Sequence, residues 1–416
     1  MIGVYVFFLL FQLLNTYLGI LAPLNPYIFS VLFIVYGFKD SVKITNLKIL
    51  TTLLVFSICL IIIYAVKFSI LSSLPTTAKA VQFNFGYYIL IPGFTVLFKL
   101  FPKVTIEDIL RVTFWTISSE LFLEFILIRI LHVSPGAFQH YPKLQHITYD
   151  PVTGEYTANR LLGMAGNASV TGVIYTSSFI LYLGALYKKA KTLKARKSLI
   201  VICTFIACFF MIVSGSAFFA IILTAFIVWS QKEGNLLKNL FIAVFIVMVI
   251  LFIFNYLSSL TDIFSNKFTT EYLVFLLTNG DEGSLPYILN DMSKGYHWYN
   301  LLLGSYFFEW GNPDAVIKTV DYFYVNLIYE FGLVGLTIFF YIIKTAYNVI
   351  KKNTVLDNQY LKFGFLVLVV GSLHYPSIVY MAAQIFISAL AAIAIRDNVP
   401  ACQPNTSNIP RVKQTE

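Results

Sequence analysis

Charge is what this sequence has least of. Lys, Arg, Asp and Glu make up 12% of its 416 residues, about half the roughly 25% of a soluble domain. A chain so poor in charge cannot clothe a water-facing surface of its size. With 58% hydrophobic residues and a mean hydropathy of +0.78, it is composed for lipid. Cysteine is also scarce. Cys59, Cys203, Cys208 and Cys402 form neither a metal-ligand spacing nor a disulfide framework, and they read as passive residues. No basic residue precedes Lys39, so the first apolar run lacks the n-region of a cleaved signal peptide and is expected to remain as a span. A Walker-type glycine loop and an internal repeat are both missing, which argues against an ATP-driven pump. The formal charge of +9 comes without any nucleic-acid-binding signature.

What is present is a succession of apolar runs, each near the length a helix needs to cross a bilayer with its backbone satisfied internally. They cover 2–19, 23–38, 49–70, 85–98, 109–131, 169–187, 199–213, 217–230, 240–257, 322–343, 363–375 and 378–395. The expected fold is an all-α polytopic membrane protein with about 12 transmembrane helices, forming one integral domain over 1–395. A polar tail, 396–416, is expected to be disordered. Two long joints, 132–168 and 258–321, interrupt the pattern. Of the 29 Lys and Arg, eight fall on the side of these joints (Lys67, Lys79, Arg129, Lys143, Arg160, Lys267, Lys294 and Lys318) and 21 on the side of the termini. The positive-inside rule then puts both termini in the cytoplasm and both long loops outside.

Arg160 is the most informative single residue. It begins Arg160-Leu161-Leu162-Gly163-Met164-Ala165-Gly166-Asn167, followed by Gly172, just ahead of the sixth span. A guanidinium forks onto phosphate oxygens, and small residues before a helix N-terminus let backbone N–H groups approach an anion. Together they suit a diphosphate at the membrane surface. The other reading is a loop arginine paired with Asp150, Glu155 or lipid headgroups. Two further stretches stand out. Ser214-Gly215-Ser216 joins two spans tightly, and Asp321-Tyr322-Phe323-Tyr324 opens a run that continues through Leu327 to Gly332-Leu333-Val334-Gly335.

In their order and spacing, these three stretches resemble the O-antigen polymerase (Wzy) and O-antigen ligase superfamily of bacterial envelope-sugar enzymes. Arg160 to Asn167 is similar to that family's R-x-x-G-x-x-G-N pattern, and Asp321 to Gly335 to its D-x-x-x-x-x-L-x-x-x-G-L-x-G run. The resemblance covers about 155–345. It departs at Ala217, where the hairpin motif often continues with arginine, and in 258–321, which holds no arginine. Lys294 or His297 would substitute there. The ligase branch favours a histidine where this chain has Asp321, which tilts the reading toward polymerase.

The resemblance implies a glycosyltransferase of lipopolysaccharide biosynthesis in the bacterial inner membrane. Its substrate would be an undecaprenyl-diphosphate-linked oligosaccharide, with a chain-length regulator protein as partner; the residues themselves show no metal-ligand set, so neither metal nor cofactor is expected. Arg160, Asn167, Lys294, Lys318 and Tyr324 would bind the diphosphate or line the sugar path. Asp321 or His297 would be the base. The residues alone also allow Asp321 to be a helix cap, and Tyr322 and Tyr324 to be an interfacial aromatic belt. Glu120 and Glu124, four residues apart on one helix face, and Glu330, about 13 Å into its helix, must face the bundle interior. They read as internal polar contacts, as catalytic groups, or as groups that hold a lipid diphosphate through a cation. Buried carboxylates are also what a proton-coupled transporter would need, so a lipid-linked oligosaccharide flippase is the rival expectation; O-antigen ligase is the other.

Overall fold

The computed structural model describes residues 3, 5–10, 26–39, 84–133, 147–149, 156–158, 161–189, 195–212, 214–233, 298–304, 322–353, 355–373 and 375–397. It is almost wholly helical. The helices are α1 (Pro26–Lys39), α2 (Tyr87–Leu100), α3 (Ile106–Phe125), α4 (Ala168–Lys189), α5 (Ala195–Ile212), α6 (Gly215–Glu233), α7 (Trp298–Leu303), α8 (Phe323–Lys351), α9 (Asn358–Gly371) and α10 (Met381–Asp397). One π turn, Ile126–Ile130, extends α3, and a 3₁₀ turn, Ser377–Val379, precedes α10. A two-stranded antiparallel hairpin pairs β1 (Ile147–Tyr149) with β2 (Tyr156–Ala158), Ile147 opposite Ala158. It lies in the first long joint, for which the hydropathy pattern predicted nothing regular. The runs expected over 49–70 and 240–257, nearly all of 258–321, and the tail beyond Asp397 fall outside the described residues.

Two helices, Ala168–Lys188 and Phe323–Lys351, are long and apolar enough to cross a membrane. Pro26–Tyr36, Tyr87–Leu100, Lys197–Ile212 and Gly215–Ser230 are shorter and equally apolar. The bundle exposes large apolar side chains, and its mainly apolar core also encloses polar ones. Leu32, Val35, Ile130 and Leu199 are exposed, while Glu120, Glu124, Ser177 and Gln384 are buried. α10 is sheathed all round, buried continuously from Ala382 to Ile395, and its alanines let α2 and α8 come close. α4 is the second hub, packed on α3, α5, α6 and α9. Aromatic rings fill the seams around it, with Phe114 stacked on Tyr175 at 5.3 Å and Phe179 on Phe205 at 3.9 Å.

The helices alternate in direction, so the bundle has two distinct ends. At one, the Arg396 guanidinium donates to the carbonyls of Phe98, Phe101 and Val104, the last at 2.7 Å, and pairs with Asp397. These carbonyls end α2 and lead into α3, where the helix leaves acceptors unsatisfied. Asn353 reaches Asp397 and Lys188 reaches the Leu356 carbonyl at the same end. At the opposite end lie Glu124, Leu162 and Ser214. Among the described Lys and Arg, Arg129 alone sits with Glu124; the rest lie toward Arg396.

Helix starts fall earlier than hydropathy suggested where a polar cap governs. α3 begins at Ile106 because Thr105 and Asp108 form a reciprocal capping box, with Asp108 N donating to Thr105 Oγ1 at 3.2 Å and Thr105 N to Asp108 Oδ2 at 3.1 Å. α9 begins at Asn358 because the Asp357 carboxylate accepts from Gln359 and Tyr360 N–H.

The larger difference is in α8, expected as one straight span over 322–343. Gly332 breaks it, with φ 67° and ψ −172°. Phe323 meets Phe339 with ring centroids 5.2 Å apart, and Tyr324 stacks on Phe340 at 5.5 Å. Residues sixteen apart on a straight helix would be separated by about 24 Å. α8 is therefore a helical hairpin, with arms 323–331 and 333–351 folded back at Gly332, so its membrane-crossing length belongs to the second arm alone, about 28 Å at the helical rise. Glu330 is then near the vertex, at the Glu124 end, and not 13 Å along a straight helix.

Candidate functional site

The segment after Arg160 is held by backbone hydrogen bonds. Glu124, on the last turn of α3, accepts from Leu162 N–H at 2.8 Å and Gly163 N–H at 2.9 Å, one bond to each carboxylate oxygen. Gly163 has φ 64°, a backbone state that a side chain disfavours, and a Cβ there would collide with Thr171. The turn closes through Gly166 N–H to the Gly163 carbonyl at 2.8 Å. Thr171 then ties the turn to α4. Its hydroxyl donates to the Leu162 carbonyl at 2.7 Å and accepts from Ala165 N–H at 3.2 Å. Asn167 caps α4, its Oδ1 accepting from Ser169 and Val170 N–H at 2.9 and 3.3 Å.

These contacts revise the anion reading in one respect. The N–H groups of Leu162 and Gly163, expected to face a bound anion, face the Glu124 carboxylate, an anion supplied by the chain itself. Asn167, expected to bind diphosphate, is 2% exposed and serves as a helix cap. Arg160 itself lies outside the described residues, as do Lys294, His297, Lys318 and Asp321. The described chain resumes at Leu161, and the next two residues are the ones Glu124 holds.

The other two stretches lie at the same end. Ser214 Oγ donates to the Ser169 carbonyl at 3.3 Å and accepts from Ala217 N–H at 3.2 Å. Gly172 lets the Ser214 side chain lie directly against α4. The start of the α8 hairpin joins through α9: Tyr324 Oη donates to the Val369 carbonyl at 2.7 Å, and Gly371, two residues on, abuts Val173 of α4. The Tyr324 hydroxyl is thus engaged in joining two helices. Glu120, one turn before Glu124, is 5% exposed and faces the bundle interior, as expected of a carboxylate on an apolar helix.

Thr171, Ser214 and Gly332 were not singled out for these roles, since each acts on a partner distant in sequence or through a backbone angle. Thr171 did carry a local signal, a hydroxyl four residues after a cap asparagine. Among the described residues, no group of three or more His, Cys, Asp or Glu is placed to hold a metal ion. No family model, curated protein or solved structure matches this chain.

Proposed function

We propose that this chain is a polytopic membrane glycosyltransferase of the O-antigen polymerase type, with about twelve spans, both termini in the cytoplasm and its site on the periplasmic side of the inner membrane. The observation that carries the reading is the gathering of three separate stretches at one end of the bundle, with the segment after Arg160 fixed there by Glu124. The same end is nearly bare of described Lys and Arg, which supports placing it outside.

In this reading the acceptor sugar hydroxyl attacks the anomeric carbon of a glycan carried on undecaprenyl diphosphate. A new C–O bond forms as the bond from that carbon to the diphosphate oxygen breaks. The hydroxyl proton passes to Asp321 or His297. Arg160, with Lys294 or Lys318, neutralises the charge that collects on the departing diphosphate. The broken α8 with its buried Glu330 favours a second reading, a lipid-linked oligosaccharide flippase, because transporters build sites at discontinuous helices.

One experiment separates them. The gene is deleted in its host and restored as wild type or as Arg160→Ala, and the surface glycolipid is resolved on a gel. A core bearing a single repeat, with the ladder regained by wild type alone, supports polymerase and the role of Arg160. Loss of every repeat refutes polymerase. Accumulation of lipid-linked sugar on the inner leaflet then indicates flippase, and on the outer leaflet ligase.

A further inference from the structure

The vertex of the α8 hairpin presents a problem in electrostatics. Glu330 is 7% exposed. It forms no side-chain hydrogen bond or ion pair among the described residues. An ionised carboxylate buried in this way is costly unless something neutralises it.

Among the described residues, the elements packed against this vertex supply no cationic side chain there. α8 packs against α7, α9 and α10, and Phe331 meets Phe85 edge-on at 5.1 Å. At this end those elements bring phenols, amides and apolar groups, among them Tyr299 and Asn300 of α7, Tyr88 of α2 and Gln384 of α10. Lys344, on the second arm of α8, lies about 18 Å from the vertex at the helical rise. Lys362 of α9 lies toward the Arg396 end.

The backbone around Glu330 is also unusual. Gly332 and Gly304 both have positive φ, 67° and 78°. Each lets the other strand of chain approach: a Cβ on Gly332 would collide with the Leu302 carbonyl, and one on Gly304 with the Glu330 carbonyl. The first arm of α8 ends here, so its negative dipole end adds to the local negative potential. A buried carboxylate, the Leu302 and Glu330 carbonyls that lie close to the facing glycines, and a helix C-terminus offer oxygen donors at this vertex, the ligand type a hard cation takes.

We propose that this vertex binds a monovalent cation, with the Glu330 carboxylate as its anionic ligand. A proton and a sodium ion are two sources of the same neutralising charge. Either would allow the carboxylate to stay buried between α7 and the α8 hairpin. The site rests on neither functional reading, since its argument uses only burial, charge and the helix break.

Dicyclohexylcarbodiimide tests this on the purified full-length chain in detergent, because it modifies carboxyl groups that are protonated in apolar surroundings. The adduct is located by peptide mass spectrometry, at several pH values, in sodium chloride or in choline chloride of equal ionic strength. Modification of Glu330 that is lost as pH rises, and is equal in both salts, identifies the cation as a proton. Modification in choline that is suppressed by sodium identifies it as sodium. In both cases the thermal midpoint of wild type should respond to the identified cation, and that of Glu330→Gln should not. No adduct at Glu330, or an adduct rate insensitive to both pH and sodium, overturns the proposal. The labelling uses wild type alone, so it stands even if the variant fails to fold.

Discussion

Removing the Glu124 carboxylate should loosen the turn after Arg160 far more than it loosens α3. In Glu124→Ala the N–H groups of Leu162 and Gly163 lose the carboxylate that accepts from them, and Leu162 is completely buried. A hydrogen bond to a charged group contributes about 1.5–3 kcal/mol, and a buried donor left unmade costs a similar amount. Two such bonds give at least about 3 kcal/mol. At about 1.4 kcal/mol per tenfold, local opening of the turn becomes roughly 100-fold more frequent. Amide hydrogen exchange of the detergent-solubilised protein reads this directly. Leu162 and Gly163 should exchange about 100-fold faster in Glu124→Ala than in wild type. Glu124→Gln retains one carbonyl oxygen and turns an NH₂ toward the second donor, so it should fall between, about tenfold faster. Amides near Arg111, at the far end of α3, should be unchanged. If Glu124→Ala leaves exchange at Leu162 and Gly163 at the wild-type rate, the carboxylate does not hold the turn. The idea that Glu124 anchors the segment following Arg160 would then fail with it.

Other perturbations follow from the same contacts. Gly332→Ala places a side chain at φ 67° and drives a Cβ into the Leu302 carbonyl; the strain alone is about 1–3 kcal/mol, and the variant should show a lower thermal midpoint or fail to accumulate. Tyr324→Phe removes one hydrogen bond to the Val369 carbonyl, worth about 1 kcal/mol. Its midpoint should fall slightly with the glycan ladder intact, whereas an unchanged midpoint with a lost ladder would assign the hydroxyl to substrate. Arg396→Ala strips the carbonyl cap from the end of α2. The guanidinium is 13% exposed, so the loss should be about 2–3 kcal/mol, read as a lowered midpoint. Arg396→Lys should restore only part of it, because an ammonium cannot reproduce the guanidinium fork.

Hydropathy located the helices well because each is an apolar run set off by polar joints, and α4, α6 and α10 begin and end within a few residues of the predicted runs. It misplaced the starts of α3 and α9, since Thr105 and Asp357 act through hydrogen bonds that hydropathy does not weigh. It also missed the fold-back in α8. Phe331, Leu333 and Val334 are apolar on both sides of the break, so the run reads as continuous; the signal lay in the backbone freedom of Gly332. The stretch from Leu162 to Asn167 stood out in the sequence, but its partner was not legible. Glu124 is 38 residues away from Leu162, and only the packing of α3 on α4 brings them together. The mid-helix carboxylate and the glycine-rich turn were noticed separately, and each accounts for the other.

The cap that Arg396 places on α2 has a consequence for how the protein is made. The guanidinium is 298 residues downstream of the Phe98 carbonyl it meets, and α10, which carries it, is the most enclosed helix of the bundle. Tyr27 and Tyr87 also wait for partners at Gln384 and Ile378. At about 5–20 residues per second, the ribosome needs roughly 15–60 s to supply these partners after α2 has emerged. Through that interval α1 and α2 stand beside a vacant core, and the bundle closes only when α10 arrives. A chain cut short before α10 would lack the central stave, so the fold cannot close until α10 has been made.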